Sequence, residues 1–195
     1  MHLLITLLLG HLLADFPLQT NGLAKLKKKS LGGVFLHVLI YMTITALLLR
    51  APFTYWPLIV GLGAVHFTID TLKMYCNLKN EVLCFVIDQI LHFITVALAV
   101  VLAYRTWNEV PVGILSNHVL IGTFLCAFVM ALMVFCWVWA NSLNEEQLKR
   151  HYLLPWIKQQ MLVLEQRMGL ALIGLIFAPA ILRMFGTMVQ IVLKY

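Results

Sequence analysis

Each of the three aspartates in this chain lies four residues from a histidine: His11 with Asp15, His66 with Asp70, and Asp88 with His92. Side chains at i and i+4 share one face of a helix, so each pair presents an imidazole and a carboxylate side by side. Lys73 extends the His66/Asp70 stripe by one more turn, and His37 adds a fourth imidazole. Neutral imidazoles and carboxylates are usual donors to a divalent cation, and two of them on one helix face repeat the logic of the His-Glu-x-x-His zinc helices. The same groups can relay a proton, because histidine titrates near neutrality. The plainest alternative is an intrahelical hydrogen bond that makes each polar spot tolerable in apolar surroundings.

The surroundings are apolar. Of 195 residues, 62% are hydrophobic and 11% charged, and the mean hydropathy is +0.93, which excludes an ordinary soluble domain. A formal charge of +6 would suggest nucleic acid in a soluble protein. Here the cations gather in short connections between apolar runs, as membrane topology requires, and no nucleic acid is expected. Cys76, Cys84, Cys126 and Cys136 have no metal-ligand spacing and read as small buried hydrophobes without a disulfide framework. The first apolar run lacks a leading basic region and carries His11 and Asp15 near its end, so it reads as a span rather than a cleaved leader.

A span needs about 20 apolar residues, and six runs qualify: 1–16 (short), 33–50, 56–75, 81–104, 112–140 and 161–193. The expected fold is all-α, a polytopic membrane protein of about six transmembrane helices. The first four form a bundle from two similar hairpins, because an offset of 55 residues carries His11 to His66, Asp15 to Asp70 and His37 to His92. Residues 1–105 would form this polar-site core, and residues 106–195 a third hairpin with a cytoplasmic loop at 141–160. Between the first two spans, residues 20–32 hold Lys25, Lys27, Lys28 and Lys29 beside Leu23 and Leu26. They read as a basic segment lying on anionic headgroups or as a topogenic loop. The lysine-rich loops belong in the cytoplasm and both termini outside. On that topology all seven His and Asp residues fall in the cytoplasmic half, with each carboxylate nearer the cytoplasm than its histidine.

An Asp or Lys at the centre of a membrane helix costs about 2.5–3.5 kcal/mol if unpaired, and a divalent cation would offset such a cost directly. The candidate ligands are His11, Asp15, His37, His66, Asp70, Asp88 and His92. Seven donors exceed the needs of one tetrahedral ion, so one or two ions fit, zinc first and manganese or iron as alternatives. A carboxylate in excess, Asp88, would accept a proton in catalysis. Lys73 is a salt-bridge partner, a snorkelling interfacial lysine or a cation for a substrate phosphate. Gln19, Gln89, Glu165 and Arg167 are candidates to orient the ligands. His118 belongs to the opposite side of the membrane, and His2 and His151 read as exposed, so all three are set aside. Glu145-Glu146-x-x-x-Arg150 matches a motif of membrane prenyl-protein proteases, but it stands in a polar loop without the partner motif.

His11-Leu-Leu-Ala-Asp15-Phe-Pro-Leu-Gln19, the lysine cluster, His37, His66-x-x-x-Asp70-x-x-Lys73 and Asp88-Gln-x-x-His92 together resemble a bacterial integral-membrane family known as a domain of unknown function. That resemblance covers residues 1 to about 100 and implies the bacterial cytoplasmic membrane, without an activity. The His/Asp-bearing helices are also remotely similar to the membrane-bound metal-dependent hydrolases of the YdjM type. Three readings follow. The first is a metal-dependent hydrolase of a lipid-like or phosphoester substrate, worked from membrane lipids. The second is a cation, proton or small-solute transporter that uses the same residues as a relay. The third is a non-catalytic subunit that docks a soluble cytoplasmic partner on the basic loop and residues 141–160.

Overall fold

The computed structural model describes residues 1–75, 80–161, 167, 171 and 174. Seven helices run through them: α1 (His2–Asp15), α2 (Asn21–Lys29), α3 (Leu31–Leu48), α4 (Trp56–Tyr75), α5 (Glu81–Thr106), α6 (Asn117–Ser142) and α7 (Glu145–Lys149). A further helical stretch covers 154–161. Among the described residues there is no strand, only an isolated antiparallel bridge between Leu49 and Gly113.

Local chemistry sets several helix starts. Thr20 Oγ1 accepts from Leu23 N at 3.3 Å to begin α2, Ser30 Oγ from Gly33 N at 3.1 Å to begin α3, and Asn80 Oδ1 from Leu83 N at 3.0 Å to begin α5. Each replaces a donor bond that a first helical turn leaves unmade. Ser30 is the single extended residue between α2 and α3, so the chain turns a sharp corner there. Lys27, Lys28 and Lys29 occupy the last turn of α2, where cations suit the helix dipole.

Helices α3, α5 and α6 are long and apolar enough to cross a membrane. Helix α4 has 20 residues, but His66, Asp70 and Lys73 hold down its mean hydropathy. The 14 residues of α1 span about 21 Å at 1.5 Å each, short of a bilayer core of about 30 Å. The sixth expected span, 161–193, lies almost wholly outside the described residues. Large apolar side chains on the long helices point outward, among them Phe35, Leu39, Leu98, Leu102, Leu125 and Phe128. So extensive an apolar exterior suits lipid rather than water.

Helix α1 packs against α3, α5 and α6, and α4 packs between α3 and α5. Thus α1, α3, α4 and α5 close a ring, α6 covers α1 and α5 from outside, and α2 lies on α3 and touches α4. The inward stripe of α1 changes character along its length. Leu3 and Leu7 join Tyr41, Leu58, Leu62 and Val96 in an apolar plug, and one and two turns further on the same stripe carries His11 and Asp15. Leu9, Leu12, Leu13 and Phe16 meet Leu120 and Met130 of α6 on the other side. One end of the ring is therefore hydrocarbon and the other is polar.

Four sequence expectations change. Helix α6 starts at Asn117 rather than 112, because residues before it are held by the end of α3: Arg50 N donates to Val112 O at 3.0 Å and Ile114 N to Leu48 O at 2.8 Å. His2 is half-buried, its Nε2 3.1 Å from Leu115 O, and His151 is half-buried with its ring 5.2 Å from that of Trp139. Residues 141–160 are not simply a loop, since α7 begins with a reciprocal Asn144/Gln147 capping box. Cys84 and Cys136 are half-buried and Cys126 is exposed, because in a lipid-facing helix an apolar residue need not be inside. Cys76 lies outside the described residues.

The corner between α2 and α3 depends on Gly33. A Cβ there would collide with the backbone carbonyl of Leu26 and lie 2.6 Å from Lys27 N, and neither can yield as a flexible side chain would. Gly33→Ala should cost about 1–3 kcal/mol, in the range of overpacking, and expose Lys27 to trypsin. Gly61→Ala, where a Cβ meets nothing within 4 Å, should leave thermal stability in detergent unchanged or slightly raised.

Candidate metal centre

Four helices bring their polar residues to one layer below the apolar plug. Helix α1 supplies His11 and Asp15, α3 His37, α4 His66 and Asp70, and α5 Asp88 and His92, and all seven are buried. Tyr41 roofs the layer, its ring stacked on His66 at 4.6 Å.

The tightest group joins four atoms. His37 Nε2 lies 3.1 Å from His66 Nε2, 3.2 Å from Asp15 Oδ1 and 3.7 Å from Asp70 Oδ2. His66 Nε2 lies 3.6 Å from Asp15 Oδ1 and 3.3 Å from Asp70 Oδ2. Of these, Asp15, His37 and His66 can bring one ligand atom each within 4.8 Å of one another. A second group adjoins it. His92 Nε2 is 3.6 Å from Asp88 Oδ1 and 3.8 Å from Asp70 Oδ1, and Asp15, Asp88 and His92 can bring one atom each within 4.8 Å of one another. His11, His66 and His92 form a third such triad. His11 also faces Asp15, with Nδ1 3.6 Å from Oδ1.

Polar atoms in this layer lack ordinary partners. Among the described residues, five buried side-chain atoms here have neither a hydrogen bond nor an ammonium partner: His11 Nδ1, His37 Nδ1, Asp70 Oδ1, Asp88 Oδ1 and His92 Nε2, whereas Asp70 Oδ2 is met by Lys27. Native interiors leave few such atoms unsatisfied, and a cation between them would satisfy several at once. His/Asp groups in this arrangement can hold a metal ion.

Two ammonium groups border the layer. Lys73 Nζ donates to Asp88 Oδ2 at 2.6 Å, with its side chain 35% exposed. Its salt-bridge role and partial snorkelling are therefore combined. Lys27 Nζ reaches from α2 to within 2.7 Å of Asp70 Oδ2, with its side chain 13% exposed. Burial works against the charge on Lys27, but Asp15, Asp70 and Asp88 outweigh it and hold the ammonium above the ordinary lysine range. It is charged at neutral pH. Sequence reading grouped Lys27 with the neighbouring lysines. The signal that separates it is Leu23, buried four residues earlier on the same face, whereas Lys25, Lys28 and Lys29 are exposed.

The amides complete the surround. Gln89 Oε1 lies 3.3 Å from His11 Nε2, and Gln89 Nε2 donates to Asp15 Oδ2 at 3.4 Å and Asp88 Oδ2 at 3.3 Å. Gln19 Oε1 accepts from Lys27 Nζ at 3.4 Å. Arg167 is exposed, His118 on α6 is exposed away from the layer, and Glu165 lies outside the described residues.

A family profile described as a protein of unknown function (DUF3307) matches residues 3–121. The chain belongs to the DUF3307 family. The matched stretch contains the whole polar layer, both bordering lysines and both glutamines, and ends within α6. No curated protein and no solved structure matches the chain.

Because Asp70 faces three histidines and Lys27 with no exposure of its side chain, removing its charge strands Lys27 in a dry site. Breaking a buried ion pair from one side costs about 3–5 kcal/mol. Asp70→Asn should therefore lower thermal stability more than Asp88→Asn, since Lys73 can turn outward. Detergent-solubilised melting of the two variants, measured side by side, checks the order.

Proposed function

We propose that this DUF3307 protein is an integral membrane metalloenzyme that binds two divalent cations in the His/Asp layer and hydrolyses a phosphoester bond in a lipid-like substrate. The observation that carries the reading is the set of 3.1–3.7 Å separations among His37 Nε2, His66 Nε2, Asp15 Oδ1 and Asp70 Oδ2.

Two ions fit better than one because of how the donors divide. Asp70 turns Oδ2 toward His37 and His66 and Oδ1 toward His92. Asp15 turns Oδ1 toward His37 and His66, while Gln89 draws its Oδ2 toward Asp88. A carboxylate can bridge two cations through its two oxygens, as in the di-metal four-helix bundles, whereas a neutral imidazole offers one lone pair. His37 and His66 would hold one ion and Asp88 and His92 the other, with Asp15 and Asp70 placed between the two sets so that each could contribute to both. His11 orients Asp15 and Gln89. Zinc suits this donor set best, with manganese or iron next.

Divalent ions at such a site polarise a phosphoryl group and acidify water. The chain does the rest. Asp88 accepts from Lys73 and Gln89 through Oδ2, which fixes the carboxylate and leaves Oδ1 facing His92. The half-exposed Lys73 marks the side from which an anionic group approaches. The site opens toward the cytoplasmic leaflet, as the lysine distribution implies.

Elemental analysis of purified protein after zinc or manganese loading should give about two ions per chain. His66→Ala and Asp70→Ala should each reduce this to one or none and abolish phosphate release from a phosphomonoester lipid. If wild type neither retains nor rebinds a divalent metal, the reading is overturned. A proton relay then takes its place, favoured by the hydrogen-bonded series in which His37 Nε2 lies 3.1 Å from His66 Nε2 and 3.2 Å from Asp15 Oδ1. It requires pH-driven flux in proteoliposomes that His37→Ala removes.

A further inference from the structure

We infer that Lys27 and Lys73 form a phosphomonoester-binding pair that metal binding brings into being, with Lys27 serving beforehand as a stand-in for the cation. This rests on the two-metal reading above and extends it to the substrate class and to the order of binding.

Lys27 Nζ sits 2.7 Å from Asp70 Oδ2, the oxygen that also faces His37 and His66. Lys73 Nζ sits 2.6 Å from Asp88 Oδ2, on the carboxylate whose other oxygen faces His92. An ammonium and a divalent cation compete for one carboxylate, since each withdraws the charge that attracts the other. Metal binding there therefore weakens the hold on Lys27 first and on Lys73 second. Lys27 cannot simply leave for solvent, because α2 is pinned to α3 through Ser30 and the close approach at Gly33. A displaced but tethered ammonium in a dry site is costly until another anion meets it.

Charge selects that anion. With neutral imidazoles, three carboxylates against two ammoniums leave one negative charge in excess. Two divalent cations turn this into three positive charges. A phosphomonoester dianion with one hydroxide restores neutrality, whereas a phosphodiester monoanion with hydroxide leaves a positive charge buried. Lys27 and Lys73 approach from different helices, α2 and α4, and from different carboxylates, so two oxygens of one phosphoryl group can each find an ammonium. Metal and dianion then raise each other's affinity by the same factor, as linkage requires.

The test is equilibrium dialysis of zinc and of manganese against the full-length protein in detergent, with and without methylphosphonate, a dianion that is not hydrolysed. Wild type should bind metal at least about tenfold more tightly with methylphosphonate, within the usual span of coupling between sites. Dimethylphosphinate, a monoanion, should produce little change. Lys27→Met should bind metal more tightly than wild type when no anion is present and lose most of the methylphosphonate effect. Lys27→Arg should keep that effect, and so should Lys28→Met, whose side chain is exposed one residue away. Proteoliposomes separate the sources of the phosphoryl group. Coupling to phosphatidic acid beyond that to soluble methylphosphonate assigns the pair to a lipid headgroup, and equal coupling assigns it to a free phosphomonoester. Metal binding indifferent to methylphosphonate, or a Lys27→Met variant indistinguishable from wild type, overturns this inference and leaves the metal site standing. No metal binding by wild type overturns both.

Discussion

Everything in this molecule depends on placing three carboxylates inside a ring of apolar helices. Each would be prohibitively costly alone in hydrocarbon. The chain offsets them with two lysines and surrounds them with four imidazoles, so charge and its compensation occupy one layer. That requirement explains features that otherwise look unrelated. The helices must close a ring so that no carboxylate faces lipid, α2 must fold back to deliver Lys27, and an apolar plug must seal the ring beyond Tyr41. The stripe Leu3, Leu7, His11, Asp15 is this constraint written along a single helix.

Much of the layer was legible because helix periodicity converts spacing into direction. The pairs His11/Asp15, His66/Asp70 and Asp88/His92 each predict a shared face, and the lysine distribution predicts a shared end of the bundle. The structure brings them together with His37. Gln19 and Gln89 were legible as neighbours of the same faces. Lys27 was not, since four lysines within five residues look alike until the pitch of α2 and the buried Leu23 single one out. Tyr41 was equally silent, since an aromatic residue in an apolar run gives no hint that a histidine will stack on it.

Boundaries set by non-local contacts were the least legible part of the fold. The fifth apolar run reads from 112, yet the helix starts at Asn117, after the N-cap Ser116, because the preceding residues pair with the end of α3. Similarly, the cysteines were assigned to the interior because they are apolar, and apolarity does not distinguish inside from outside when the solvent is itself apolar. Composition pointed to a membrane protein, and three helices have the length and hydropathy to span a membrane. The shorter α1 and the polar α4 carry site residues at the cost of that simple signature.

The corner at Ser30 turns the stretch from Lys27 to His37 into a ruler. Ten positions separate the ammonium from the imidazole, and all but Ser30 lie in helices whose phase is fixed. Adding or deleting one residue rotates everything beyond it by about 100°, which would carry either Lys27 or His37 out of the layer. Substitutions along the exposed side of α2 leave that phase intact. This short basic stretch can therefore vary in its surface chemistry but not in its length, an unusual restriction for what first reads as a loop between two membrane helices.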